Sequence, residues 1–266
     1  MKYAFFGSPE FAALILEKLI TTGLPPALVV CNPDRPAGRK KIITPPPTKT
    51  LAEKYKIMVA QPELLAASEF KGLEFGVVAA YAKILPKEVI DAFPKGIIGV
   101  HPSLLPKYRG ATPIQSVILA GEKETGTTLY MLDEKVDHGK IVASSKQEVA
   151  RGETYETLLK KLAELSGDLL VETLPKFASG AIKPVPQNES EATYTKKFKT
   201  EDARVSLESD DPSLIERKIR ALNPEPGVWT MLNGKRTKIL EASVRDGKIS
   251  FKKIQVEGGK PETIKD

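Results

Sequence analysis

Two segments hold the residue types that could do proton chemistry: His101-Pro102-Ser103-Leu104-Leu105-Pro106-Lys107-Tyr108-Arg109-Gly110 and Asp133-Glu134-Lys135-Val136-Asp137-His138-Gly139. His101 is one of two histidines and closes the apolar run Ile97-Ile98-Gly99-Val100. An imidazole titrates near neutrality, so it can take a proton from one group and give it to another. At the end of a buried strand, ahead of a proline-pinned loop, it would stand where ligands of open α/β sheets bind. Asp137 supplies a carboxylate that could orient the ring. On position alone, a half-buried structural histidine is the commoner case.

The elements needed to position these groups are legible as alternating patterns. Residues 2–7 read as a buried strand, with Ser8 placed to cap a helix and Pro9 at its first position. Phe11, Leu14, Ile15 and Leu19 recur at helical spacing up to Gly23. Further strands are expected over 27–30, 57–60, 75–80 and 97–100, with a helix at 48–56. This alternation predicts an α/β fold with a doubly wound, mostly parallel sheet. A helix over 112–120 and strands over 126–132 and 140–149 add an antiparallel edge around Asp137. Leu158, Leu162, Leu165 and Leu169 mark one face of a helix over 154–174, which Pro175 should limit.

Beyond it, 181–190 reads as linker and 212–221 as a helix. Short strands over 228–232, 236–242 and 249–254 are joined by Asn233-Gly234 and Asp246-Gly247, both hairpin signals. The expected division is 1–182 for the reaction, 183–200 as linker, and a small β-rich domain over 201–266.

Composition narrows the classes. The 266 residues can bury one sizeable core and a smaller one, and the formal charge of +6 does not by itself demand a nucleic-acid partner. Arg35, Arg39, Lys40, Lys41 and Lys49 cluster in a proline-rich loop; a solvated surface and a phosphate-binding surface both fit. The single cysteine, Cys31, reads as core and excludes an internal disulfide. Gly7-Ser8-Pro9-Glu10 is not a dinucleotide fingerprint, and His101, His138 and Cys31 lack metal-ligand spacing, so no metal is expected. No apolar run approaches the roughly 20 residues of a membrane span. No membrane association, a cytoplasmic location and a monomeric state are the expectations.

Several segments resemble the 10-formyltetrahydrofolate-dependent formyltransferase family. They are Gly7-Ser8-Pro9-Glu10-Phe11-Ala12, Asn32-Pro33-Asp34-Arg35-Pro36-Ala37-Gly38-Arg39, Ala80-Tyr81-Ala82-Lys83-Ile84-Leu85-Pro86, the His101 segment, and Tyr194 to Asn223. The resemblance runs from the first strand to about Ala242. It implies a formyltransferase-type sheet and an OB-like tRNA-binding domain, expected here to be shortened. It implies 10-formyltetrahydrofolate as co-substrate, bound by Ser103, Leu104, Leu105 and Pro106 and by Ala80, Tyr81, Ala82, Ile84 and Leu85. It further implies His101 and Asp137 as catalytic residues and initiator methionyl-tRNA as partner, with Arg35, Arg39, Lys40 and Lys41 on its phosphates. Sugar amines or glycinamide ribonucleotide are alternative acceptors.

One position departs from the family pattern Asn-x-His, where this chain has Gly99-Val100-His101. Loss of one oxyanion donor costs roughly 10²–10³ in rate in other enzymes. Either another group replaces the amide or the chain is a catalytically weakened folate- or tRNA-binding relative. Restoring the amide by Gly99→Asn should raise turnover; a folded variant with no gain would mean that another group already fills the role or that the chain does not perform the reaction.

Overall fold

The computed structural model describes residues 1–38 and 40–264. Its centre is a sheet built from β1 (Tyr3–Phe6), β2 (Leu28–Val30), β5 (Met58–Ala60), β6 (Phe75–Ala79), β7 (Ile97–His101), β9 (Glu124–Met131) and β10 (Ile141–Glu148). The spatial order is β10-β9-β7-β6-β1-β2-β5. The five strands from β7 to β5 run parallel, and β9 runs antiparallel to β7. The chain winds outward from β1 through β2 to β5 and then crosses to β6 and β7. The strand order therefore reverses between β1 and β6, and the loops leaving their carboxyl ends flank the crevice where such sheets take ligands.

Full burial of β1 and β7 explains their unbroken apolar sequences. Phe6, Phe70 and Phe93 pack with tilted and edge-to-face rings in one cluster with Val30, Val89 and Ile97. Helix α1 (Glu10–Thr21) buries Phe11, Ile15 and Leu19 as its spacing predicts, together with Ala12 and Leu16, while Leu14 is half-buried. Ser8 does not cap it. The Ser8 hydroxyl accepts the Asn32 N–H at 2.9 Å, tying the first loop to the end of β2. Helix α2 (Pro47–Lys54) starts at a proline, and the Thr48 hydroxyl donates to the Gly7 carbonyl at 2.8 Å.

Two further expectations are corrected. Pro175 lies inside helix α5 (Tyr155–Ala178), which ends three residues later with Gly180 at φ +76. A proline removes one N–H bond without obliging the helix to stop when its other turns are held by packing. Of the face expected on α5, Leu158 and Leu162 are buried, while Leu165 and Leu169 are half-buried and the buried side continues through Ser166, Leu170 and Leu174. A polar Ser166 is tolerated there because its hydroxyl bonds the Leu162 carbonyl at 2.6 Å and the Thr127 hydroxyl at 2.7 Å. The basic loop carries a hairpin of β3 (Arg35–Ala37) and β4 (Ile42–Thr44), which the proline content conceals.

The chain divides into two compact units, 1–109 with 126–147 and 159–193, and 110–125 with 148–158 and 194–266. The second draws in segments that the sequence division assigns to the first domain. It contains α4 (Pro113–Ala120), α6 (Pro212–Leu222), and an antiparallel meander of β12 (Trp229–Leu232), β13 (Lys235–Arg245), β14 (Lys248–Val256) and β15 (Glu262–Thr263). Asp211 caps α6 by accepting N–H bonds from Ser213 and Leu214. Both hairpin turns hold two residues at positive φ, Asn233-Gly234 and Asp246-Gly247. The order β12-β13-β14-β15 is open, so among the described residues the meander is a sheet with two edges and not a closed barrel. The two remaining short strands are β8 (Arg109–Gly110) and β11 (Tyr194–Thr195), and α3 (Lys87–Asp91) follows β6.

A Cβ on Gly7 would lie 2.6 Å from the Ala12 Cβ and 2.7 Å from the Ala79 carbonyl oxygen. Gly7→Ala should therefore destabilise the first unit by roughly 1–3 kcal/mol, the usual cost of overpacking against atoms that cannot move aside. Denaturant unfolding of the two proteins measures it.

Candidate active site

The buried strand β7 delivers His101 to the carboxyl edge of the sheet with 5% of its surface exposed. Its Nε2 lies 2.8 Å from the Tyr108 carbonyl oxygen, to which it can donate. Its Nδ1 faces the Asp137 carboxylate, 3.4 Å from Oδ2. The structure thus brings together the two residues singled out for proton chemistry. Asp137 sits at φ +49, a left-handed backbone that aspartate tolerates better than most residues. Its carbonyl oxygen accepts the Gln187 side-chain N–H at 2.9 Å, which helps hold the turn.

The other Asp137 oxygen, Oδ1, accepts the Tyr130 hydroxyl at 2.6 Å. Burial, reinforced by the Asp137 charge, pushes the Tyr130 phenol well above its ordinary pKa, so it remains a neutral donor. Tyr130 lies on β9 directly across from Gly99. A Cβ on Gly99 would overlap the Tyr130 ring, 2.5 Å from Cζ and 2.8 Å from the hydroxyl oxygen. A side chain at 99 would have to displace the Tyr130 ring, so the gain in turnover expected of Gly99→Asn requires that ring to move aside.

The residues expected to bind folate divide into two groups. Ala80, at φ +49, Ala82 and Ile84 are exposed, Ile84 by 94%. Tyr81 and Leu85 turn into the core cluster around Phe6 and Phe93. Burial pushes the Tyr81 phenol up to about 12, and its oxygen has no hydrogen-bond partner among the described residues. In the loop after His101, Ser103, Leu105 and Pro106 are buried and Leu104 is half-buried. Thr128 pins this loop: its hydroxyl donates to the Ser103 carbonyl at 2.7 Å and accepts the Leu105 N–H at 3.1 Å. Loop 80–85 leaves β6 beside β7, with Ala79 in register with Val100, so both loops rise from the same sheet edge.

Sequence reasoning misses the wall behind the turn. Residues 181–190, read as linker, pair Val185 with Ile141 and carry Gln187 and Glu189. Arg109, fully buried, donates to Gln187 Oε1 at 2.7 Å and to Glu189 at 2.6 Å. Its hydrogen bonds hold the Glu189 carboxyl below the usual range. His138 pairs with Asp133 at 2.8 Å, and its Nε2 lies 3.7 Å from Glu189 Oε1. A polar Gln187 in a proline-bordered stretch gives no local signal; only its distant partners disclose it.

Arg35, Lys40 and Lys41 are exposed on the β3–β4 hairpin, and Arg39 lies outside the described residues. Lys49 is not available there, since it pairs with Asp34 at 2.8 Å. Among the described residues no group of three or more His, Cys, Asp or Glu side chains could hold a metal ion. No described helix is long and apolar enough to cross a membrane.

Residues 1–174 match the family model described as formyl transferase, and residues 197–266 match formyl transferase, C-terminal domain. The chain is similar to a methionyl-tRNA formyltransferase of Chloroflexus aurantiacus, 42% identical over 250 residues, covering 92% of this chain and 80% of the relative. It is similar to that of Caldicellulosiruptor saccharolyticus, 38% identical over 300 residues, covering 100% and 96%. Among solved structures, methionyl-tRNA formyltransferase from Clostridium thermocellum matches with a TM-score of 0.63 at 19% identity, covering 100% of both chains. WlaRD, a sugar 3N-formyl transferase, matches at 0.71 and 17% identity, covering 92% and 87%. The structural likenesses establish the fold.

Two outcomes follow from this geometry. Gly99→Ala should cost roughly 1–3 kcal/mol by driving a methyl group into the Tyr130 ring, read as a lowered denaturation midpoint. Glu189→Gln should be less stable than the parent at pH 7. A carboxylate with a lowered folded pKa stabilises above its unfolded value near ~4.3, and that contribution disappears as pH falls through the folded value. The gap in melting temperature between the two proteins should therefore begin to narrow as the pH falls below about 4 and close only once it has passed the lowered folded value.

Proposed function

The chain belongs to the formyl transferase family, and we propose that it transfers the formyl group of 10-formyltetrahydrofolate to the amino group of methionine on initiator methionyl-tRNA. The observation that carries this is the 42% identity to a relative of that name across 80% of its length. Glycinamide ribonucleotide and sugar amines are disfavoured as acceptors, because the relatives 38–42% identical to this chain are named methionyl-tRNA formyltransferase.

In this reading the methionyl nitrogen attacks the formyl carbon, a C–N bond forms, and the bond from that carbon to the folate nitrogen breaks. The attacking amine loses a proton and the departing nitrogen gains one. With Nδ1 facing Asp137, His101 Nε2 is the atom that exchanges protons, trading the Tyr108 carbonyl for the substrate nitrogen. Asp137 orients the ring and offsets the charge it gains. The folate supplies the formyl group. Ala80, Ala82, Ile84 and Leu104 present apolar surface to its flat ring, while Tyr81, Leu85, Ser103, Leu105 and Pro106 shape the loops from beneath. An almost fully exposed Ile84 fits such a cover.

Arg35, Lys40 and Lys41, with Arg39, would meet acceptor-stem phosphates, giving affinity without base readout. The proposed division of labour keeps 1–182 for the reaction and 201–266 for holding tRNA, joined by 183–200. A cytoplasmic monomer goes with this role.

His101→Ala and Asp137→Asn should each reduce formyl-methionine formation by at least about 10² in turnover, with melting temperature near the parent's. Parent-like turnover in both would overturn the assignment. Replacing Arg35, Lys40 and Lys41 by alanine should weaken tRNA binding and lower its log–log salt slope by about 2, with folate affinity retained. An unchanged slope would return the hairpin to ordinary solvated surface.

A further inference from the structure

We propose that Tyr130 is a positioning residue of the active site, its hydroxyl fixing the Asp137 carboxylate so that the second oxygen faces His101. The proposal rests on the reading of His101 and Asp137 as the reacting pair. A carboxylate on a turn has two side-chain torsions to restrain, and Val136 beside it is exposed. Tyr130 and His101, by contrast, stand on adjacent strands whose register pairs Gly99 with Tyr130 and His101 with Thr128. Two of the three groups are thus fixed by the sheet, and the 2.6 Å bond from Tyr130 to Oδ1 ties the third to them. Oδ2 is left directed at Nδ1 of His101 at 3.4 Å.

Glycine at 99 is part of the same device. The Tyr130 ring crosses the space that any side chain at 99 would enter, and a Cβ there would lie only 2.8 Å from the hydroxyl oxygen. A larger residue at 99 would push the ring away from Asp137. Simple core packing would need only the ring, which phenylalanine supplies equally well; the buried hydroxyl adds a charge-assisted bond with a defined recipient.

Tyr130→Phe tests this with the ring retained. Loss of a hydrogen bond to a charged group predicts a drop in kcat of about 10- to 100-fold. KM for 10-formyltetrahydrofolate and for methionyl-tRNA should stay within about twofold, with a cooperative melting transition lowered by no more than the several degrees that loss of one buried hydrogen bond brings. Because the hydroxyl acts through Asp137, Tyr130→Phe added to Asp137→Asn should lower kcat little further. Site-specific 3-fluorotyrosine at 130, which keeps shape and hydroxyl, should retain kcat within a few fold, and it decides the matter if Tyr130→Phe folds poorly. Parent-like kcat in Tyr130→Phe, or a full additional loss in the double variant, would overturn the proposal while leaving the pair intact. Parent-like turnover in both His101→Ala and Asp137→Asn would overturn the pair and the proposal together.

Discussion

A carboxylate shared between a phenol and an imidazole sets the terms for the rest of this structure. Asp137 is brought to His101 by a turn with a positive φ. What restrains it is the antiparallel pairing of β7 with β9, which fixes Tyr130 beside His101, together with Gln187 on the turn's backbone. Burial makes these bonds consequential, because a buried polar group left without a partner costs about 1–3 kcal/mol. The sheet, the turn and the strap over 181–193 therefore act as one support for a single ring.

The same logic explains the neighbouring loops. Thr128 and Ser103 anchor the segment after His101 through backbone atoms, leaving Leu104 as its half-buried member. Ser8, Asn32 and Thr48 perform the corresponding service beside the strand reversal between β1 and β6. Polar side chains at the carboxyl edge bond mainly to main chain, which holds the loops still while apolar surface faces outward.

Much of this is legible in the sequence, for identifiable reasons. Strand β1 is short and apolar, β7 is apolar up to its closing His101, α1 and α6 have clean apolar spacing, and both C-terminal hairpins carry their turn residues. His101 and Asp137 are recognisable by type and setting. Tyr130 is not, because an aromatic in an apolar strand reads as core until the strand register is known. Gln187 and Glu189 are hidden by a linker-like composition, and their partner Arg109 lies 78 and 80 residues away. Ser8 misleads because a serine before a helix usually caps it, while here a neighbouring loop claims the hydroxyl. Leu158 and Leu162 mark the apolar face of α5, but its course beyond them is misplaced in the sequence because Ser166 occupies a core position that hydropathy alone rejects.

The central claim is that this site transfers a formyl group to the amine of charged initiator tRNA despite the glycine at 99. The most direct measurement mixes the parent protein with 10-formyltetrahydrofolate and initiator methionyl-tRNA, then follows formyl-methionine, tetrahydrofolate and formate over time. Formyl-methionyl-tRNA and tetrahydrofolate should appear in equal amounts over many turnovers, with little free formate. Binding of both substrates without transfer, or release of formate in place of formyl-methionine, would contradict the claim.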